Sequence, residues 1–247
     1  MAKYKVALSD GHGEATSGKR TPDGYRENRF NSAVIDLLNV ELKRCGFDTK
    51  LVAPTDYDTP LKARTDLANS WGADIYVSVH YNALADKWRD GEGGIETFYH
   101  EGSAKGKGLA TCIHRNLMRG TKLKDRGLKT ANLHETRETH MPAALAECGF
   151  MDIKDEAELM KSTAYHKECA VEIAKGVCEY FEVDYKEEEK VEKQEVNKPA
   201  SKPTTTAPKG TMYRVVAGSY SDRANADAQV KALKAKGFTS FIDIIKP

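Results

Sequence analysis

Ile75-Tyr76-Val77-Ser78-Val79-His80 is a short, β-branched, mostly apolar run that stops on a histidine. Bounded by Gly72 and by Asn82, it predicts a strand buried on both faces of a mainly parallel sheet. In open α/β sheets, ligands bind just outside the carboxyl ends of the strands, which is where His80 would stand. Two other stretches have the same form. Tyr4-Lys5-Val6-Ala7-Leu8 runs into Ser9-Asp10-Gly11-His12-Gly13, and Ala143-Ala144-Leu145-Ala146 runs into Glu147-Cys148-Gly149. Three apolar runs thus end in His, His and Glu. These side chains ligate metals and move protons, and a shared sheet would deliver all three to one edge.

Working outward, a helix is predicted from about Glu27 to Arg44, ended by Gly46, with Phe30, Val34, Leu37, Leu38, Leu42 and Cys45 as its apolar stripe. Glu27 opens that stripe on the core-facing side. A carboxylate there must be paired, coordinated or neutralised. Taken alone, it reads as an acid favoured by the helix dipole; the two strand-end histidines turn it into a candidate ligand. Phe47 to Val52 reads as a strand, Leu61 to Ser70 as a helix, Gly94 to His100 as a strand, and Ala104 to Met118 as a helix with Leu109, Ile113 and Leu117 inward. A last long helix spans about Tyr165 to Phe181 with Ala170, Ile173 and Val177 buried. Strands alternating with helices predict an α/β domain: a mainly parallel twisted sheet with helices on both faces.

Composition limits the function classes. The chain has 247 residues, 40% hydrophobic and 30% charged, with a net charge of +1. No nucleic-acid-binding or membrane-surface field follows from that balance, and no apolar run approaches the ~18 residues of a membrane span. Five cysteines without regular spacing argue against a disulfide framework. Met1-Ala2-Lys3 leads straight into a predicted strand, so the expectation is synthesis in the cytoplasm without a signal peptide.

Two rival motifs fail on chemistry. Gly13 to Lys19 has the glycine and lysine positions of a phosphate-binding loop, but Arg20 replaces the magnesium-binding Ser or Thr, and Thr21-Pro22-Asp23-Gly24 is a turn where a helix is needed. His134-Glu135 does not make a zincin motif, because Glu138 stands where the second histidine belongs. His100, His114, His134, His140 and His166 read as structural or exposed. Cys148 reads as a buried, inert thiol, since its run is apolar and nothing cationic adjoins it.

Two histidines and one carboxylate are a common ligand set for catalytic zinc, with a fourth position open to water. Imidazole favours zinc over magnesium or calcium, which prefer all-oxygen shells. His12, Glu27 and His80 are the candidate ligands. A second, non-ligating carboxylate is then needed to move a proton from water to a leaving nitrogen, and Glu147 is the candidate.

Asp10-Gly11-His12-Gly13, Glu27-Asn28 opening a helix, Ser78-Val79-His80-Tyr81-Asn82-Ala83 and Met141-Pro142-Ala143-Ala144-Leu145-Ala146-Glu147-Cys148-Gly149-Phe150 occur in one order. Together they resemble the zinc-dependent N-acetylmuramoyl-L-alanine amidases of phage endolysins and bacterial autolysins. Arg64 with Ala68-Asn69, Gly93-Gly94-Ile95-Glu96 and Asp125-Arg126-Gly127-Leu128 fit the same pattern. The resemblance covers about three quarters of the chain. It implies zinc at His12, Glu27 and His80, Glu147 as catalytic acid/base, and cleavage of the amide joining N-acetylmuramic acid to L-alanine in peptidoglycan, causing cell-wall lysis. The alternatives are a zinc peptidase acting on another peptide and a catalytically silent wall-binding protein.

From Lys186 the composition turns charged, then Pro-, Thr- and Lys-rich, which reads as a solvated linker. Tyr213 to Gly218, Asp222 to Lys236 and Phe241 to Ile245 read as a small C-terminal β-α-β unit, similar to one half of a SPOR-type peptidoglycan-binding domain. The expected division is a catalytic domain over 1–183, a linker over 184–210 and a wall-binding unit over 211–247. Two strands leave open sheet edges. The expected remedy is a homodimer through this unit, or docking of the tail on its own catalytic domain.

Overall fold

A computed structural model of the chain describes residues 4–53 and 58–188, and positions 223, 230 and 231. The strand, helix and pairing expectations for the tail fall outside the described residues, except that Arg223, Val230 and Lys231 are helical. The chain divides into two compact units, Met1–Glu189 and Lys190–Pro247.

The first unit contains β1 (Lys5–Asp10), α1 (Glu27–Arg44), β2 (Asp48–Leu51), α2 (Leu61–Trp71), β3 (Ile75–Asn82), β4 (Ile95–Tyr99), α3 (Ala104–Gly120), β5 (Asp125–Thr130), α4 (His134–Arg137), β6 (Ala143–Phe150), α5 (Lys154–Met160) and α6 (Thr163–Tyr180). Six strands form one sheet in the order β2-β1-β3-β6-β4-β5. The β1–β2, β1–β3, β3–β6 and β4–β5 pairs are parallel; β4 against β6 is antiparallel. The three runs that end in His, His and Glu are therefore the neighbouring strands β1, β3 and β6, and they point the same way.

The strand alternation sorts the two faces. Val6, Leu8, Ile75, Val77, Val79, Tyr81, Ala144, Ala146 and Cys148 join the main core with α1, α3 and α6. Within it Gly176 lets α6 approach α3 closely, because a Cβ there would come within 2.5 Å of the Ile113 Cα. The opposite face holds a smaller cluster of Ala7, Val52, Ala68, Ala73, Tyr76 and Ala143, with Leu67, Trp71 and Met141 against it. Both faces of β3 are buried, as its composition predicts. The second face is not uniformly apolar, however: Ser9, Ser78 and His80 lie on it and are also buried.

Three elements were not visible in the sequence: β5, α4 and α5. β5 is a half-exposed edge strand interrupted by Gly127 at φ 79°, so it lacks the apolar run that marks β1 and β3. The other two are short helices of four and seven residues, too brief for a helical period to show.

Candidate metal centre

His12 follows β1 in the left-handed region, at φ 62°, between Gly11 and Gly13. A side-chain-bearing residue rarely adopts that conformation without support. Here the His12 carbonyl accepts hydrogen bonds from Asn28 Nδ2 at 3.0 Å and Arg64 Nη2 at 3.2 Å. Arg64 is almost wholly buried and also binds the Asp10 carbonyl at 2.5 Å, the Thr59 carbonyl at 2.8 Å and Ser9 Oγ at 3.2 Å. One guanidinium thus ties the end of β1 to α2.

Glu27 is the first residue of α1, with the backbone turning at Arg26. Its Oε1 accepts from the Tyr81 backbone N–H at 3.1 Å and from Asn31 Nδ2 at 3.2 Å, and lies 3.1 Å from His80 Nδ1. Its Oε2 lies 3.5 Å from His12 Nε2. His80 ends the apolar part of β3, its ring seated on Gly11; a Cβ at position 11 would overlap that ring. One donor atom each from His12, Glu27 and His80 lie within 4.8 Å of one another, so the structure brings the three predicted ligands together.

Glu147 lies directly beside His80 in the β3–β6 register. With Glu27, His80, Asn82 and Lys19 it lines a cavity of about 190 Å³. Burial raises its pKa to about 8; His80 pulls it down, but the nearby Glu27 charge pushes it further up. Burial lowers His12 to about 4, against the pull of Glu27. For His80, burial opposes protonation, but its bonds to Glu135 and Glu27 prevail and raise the pKa to about 10. Burial would raise Glu27, and the His80 and His12 partners reverse that.

The donor set suits a divalent cation that accepts nitrogen. Two imidazoles and one carboxylate converge, and Glu27 Oε2, buried, has no hydrogen-bond partner among the described residues. A buried carboxylate oxygen without a partner carries a desolvation cost that coordination would offset.

The other histidines have different surroundings. His114 lies between Thr97 Oγ1 at 3.0 Å and Asp125 Oδ1 at 2.9 Å. His166 Nε2 lies 2.8 Å from the Met160 carbonyl, His134 Nε2 is 3.3 Å from Thr65 Oγ1, and His140 is exposed. Cys148 is buried, and its neighbour Cys169 together with burial pushes its thiol pKa well up. The glycine-lysine loop does not open a helix: Arg20 bridges back to Arg26, and α1 begins only at Glu27. Sequence reasoning passed over Glu135, buried on α4 and 3.6 Å from His80 Nε2. A single acid inside a failed zincin pattern gives no signal of its own.

An open α/β sheet with two strand-end histidines and a helix-start glutamate converging beside a second carboxylate defines a metallohydrolase class. Within that class, residues 6–179 match the N-acetylmuramoyl-L-alanine amidase family, and residues 189–243 match the SPOR domain. The chain belongs to the N-acetylmuramoyl-L-alanine amidase family, enzymes that hydrolyse cell-wall peptidoglycan. It is 30% identical over 241 residues to the amidase CwlM of Bacillus licheniformis, covering 96% of this chain and 84% of that protein. It is 33% identical over 204 residues to the endolysin of Bacillus phage SPP1, covering 79% of this chain and 72% of that protein. The catalytic domain of CwlV, an N-acetylmuramoyl-L-alanine amidase from Paenibacillus polymyxa var. colistinus, superposes with a TM-score of 0.68 at 30% identity, covering 73% of this chain and 99% of that one.

Proposed function

We propose that the chain is a zinc enzyme that hydrolyses the amide between the lactyl group of N-acetylmuramic acid and L-alanine, with His12, Glu27 and His80 as ligands and Glu147 as catalytic acid/base. The observation that carries this is the convergence of the three donors within 4.8 Å of one another, two of them, Glu27 and His80, lining the same cavity as Glu147. Zinc held there would supply Lewis acidity for the amide carbonyl and for water.

The chain's own residues supply the rest. Arg64 and Asn28 hold the His12 loop, and Gly11 leaves room for the His80 ring. Glu147 takes the proton of the attacking water as the new C–O bond forms. It returns that proton to the alanine nitrogen as the C–N bond breaks. Burial pushes its pKa up, the direction that favours holding a proton before releasing it. Digestion of purified peptidoglycan tests the reading. New amino groups on L-alanine without new reducing sugar ends support it; cleavage elsewhere in the stem peptide supports a zinc peptidase instead.

The tail extends the proposal. The SPOR match supports anchoring to the peptidoglycan substrate, and it begins inside the stretch read as linker. Pairing of two tails would join two catalytic units and raise wall avidity. Solution masses of the intact chain and of a version ending at Lys209 test this: a dimer for the first and a monomer for the second support pairing, and a monomeric intact chain at high concentration rules it out.

A further inference from the structure

We propose that Glu135 is a positioning residue of the metal centre: it holds His80 with the Nε2 proton turned toward itself and Nδ1 toward Glu27. The proposal rests on the zinc reading and adds to it a residue outside the ligand set. Glu135 sits on α4, which covers the face of the sheet opposite the main core, and is 4% exposed.

Its carboxylate is gripped from the sheet. Ser9 Oγ donates to Oε1 at 2.6 Å, Tyr76 Oη donates to Oε1 at 2.5 Å, and Ser78 Oγ donates to Oε2 at 3.2 Å. These three hydroxyls come from β1 and β3 and share a face by strand alternation. Arg64 Nη1 donates to the same Ser9 Oγ at 3.2 Å, so a cation stands one hydroxyl away. Oε2 then faces His80 Nε2 at 3.6 Å.

The imidazole has two nitrogens and two different neighbours. Nδ1 lies 3.1 Å from Glu27 Oε1, on the side where the ligand atoms converge. Nε2 is buried, has no hydrogen-bond partner within normal length among the described residues, and points at Glu135. A neutral imidazole carries one proton and one lone pair. An anionic acceptor beside Nε2 favours the proton there, which leaves the Nδ1 lone pair for the cation. Carboxylates behind ligating histidines set both tautomer and ring orientation, and their loss costs ~10–100-fold in metal affinity. Three hydroxyl donors on one carboxylate make it a poor candidate for simple packing: they fix its orientation and keep it an acceptor.

The test uses the intact chain, ¹⁵N-labelled at histidine, with zinc affinity measured by competition against a chromophoric chelator. In the zinc-loaded wild type, long-range ¹H–¹⁵N spectra should show His80 with a protonated Nε2 and a metal-bound Nδ1. Glu135→Gln should weaken zinc binding ~10–100-fold, while circular dichroism of the metal-free variant stays that of the folded protein. Wild-type affinity in Glu135→Gln overturns the proposal. So does a His80 protonated at Nδ1 and bound through Nε2, a result read on the wild type and independent of whether the variant folds. A wild type that binds no zinc at all overturns the metal centre itself, and the role of Glu135 with it.

Discussion

His80 and Glu147 are register partners across the parallel β3–β6 pair, on the same face of the sheet and at the same strand end. That adjacency places a proposed ligand near the end of β3 beside the only acid of β6, without any loop to position either. It also explains why the Glu27 charge adds to the cost of ionising Glu147: both carboxylates line one small cavity beside the same imidazole.

Removing His80 should separate metal binding from folding. His80→Ala deletes one of three donors, so zinc and activity should be lost together while the sheet stays intact. Metal analysis of the purified variant checks this; full zinc occupancy would strike His80 from the ligand set.

Glu147→Gln should behave differently. The amide keeps the size of the side chain but cannot shuttle a proton, so zinc should remain bound while turnover falls by roughly 10²–10⁴-fold. Turnover on purified cell walls, paired with metal content, reads both quantities, and near-normal turnover would remove Glu147 from the mechanism.

Gly11 tests the seat beneath the ring. A methyl group there overlaps the His80 imidazole. Overpacking of this kind costs about 1–3 kcal/mol, and here the displaced group is a proposed ligand. Gly11→Ala should therefore weaken zinc binding as well as lower the melting temperature. An unchanged zinc affinity in the folded variant would show that the ring can shift without harm.

Glu96 gives a pH dependence. It lies opposite Glu147 in the β4–β6 register and accepts from Asn82 Nδ2 at 2.7 Å, Arg126 Nε at 2.9 Å and Lys129 Nζ. Burial pushes its pKa up, but the Lys129 and Arg126 partners prevail and hold it below the ordinary 4.5. A carboxylate depressed in the folded state stabilises the fold above its unfolded pKa and loses that contribution as pH falls through the folded value. Glu96→Gln should cost about 1.5–3 kcal/mol at neutral pH, the range for a hydrogen bond to a charged group. The gap to wild type should close once pH drops below 4.5. Urea melts at neutral and acidic pH measure it, and a gap that persists in acid would contradict the linkage.

The sequence by itself determined the strands β1, β3 and β6, the helix α1, and the candidate groups at their ends. Strand runs, helix stripes and the residues that stop them are local signals, which is why Glu27–Arg44 emerged as α1 and why His12, His80 and Glu147 emerged as strand-end groups. Tertiary structure alone decided how the ends are held. Arg64 reaches the His12 carbonyl from 52 positions away, and Ser9 meets Glu135 across 126. Ser9, Tyr76 and Ser78 read as ordinary strand residues, and Glu135 as an acid in a failed motif. A buried charge is tolerable only where its partners converge, and that convergence exists only after β1 and β3 pair and α4 covers the face they share.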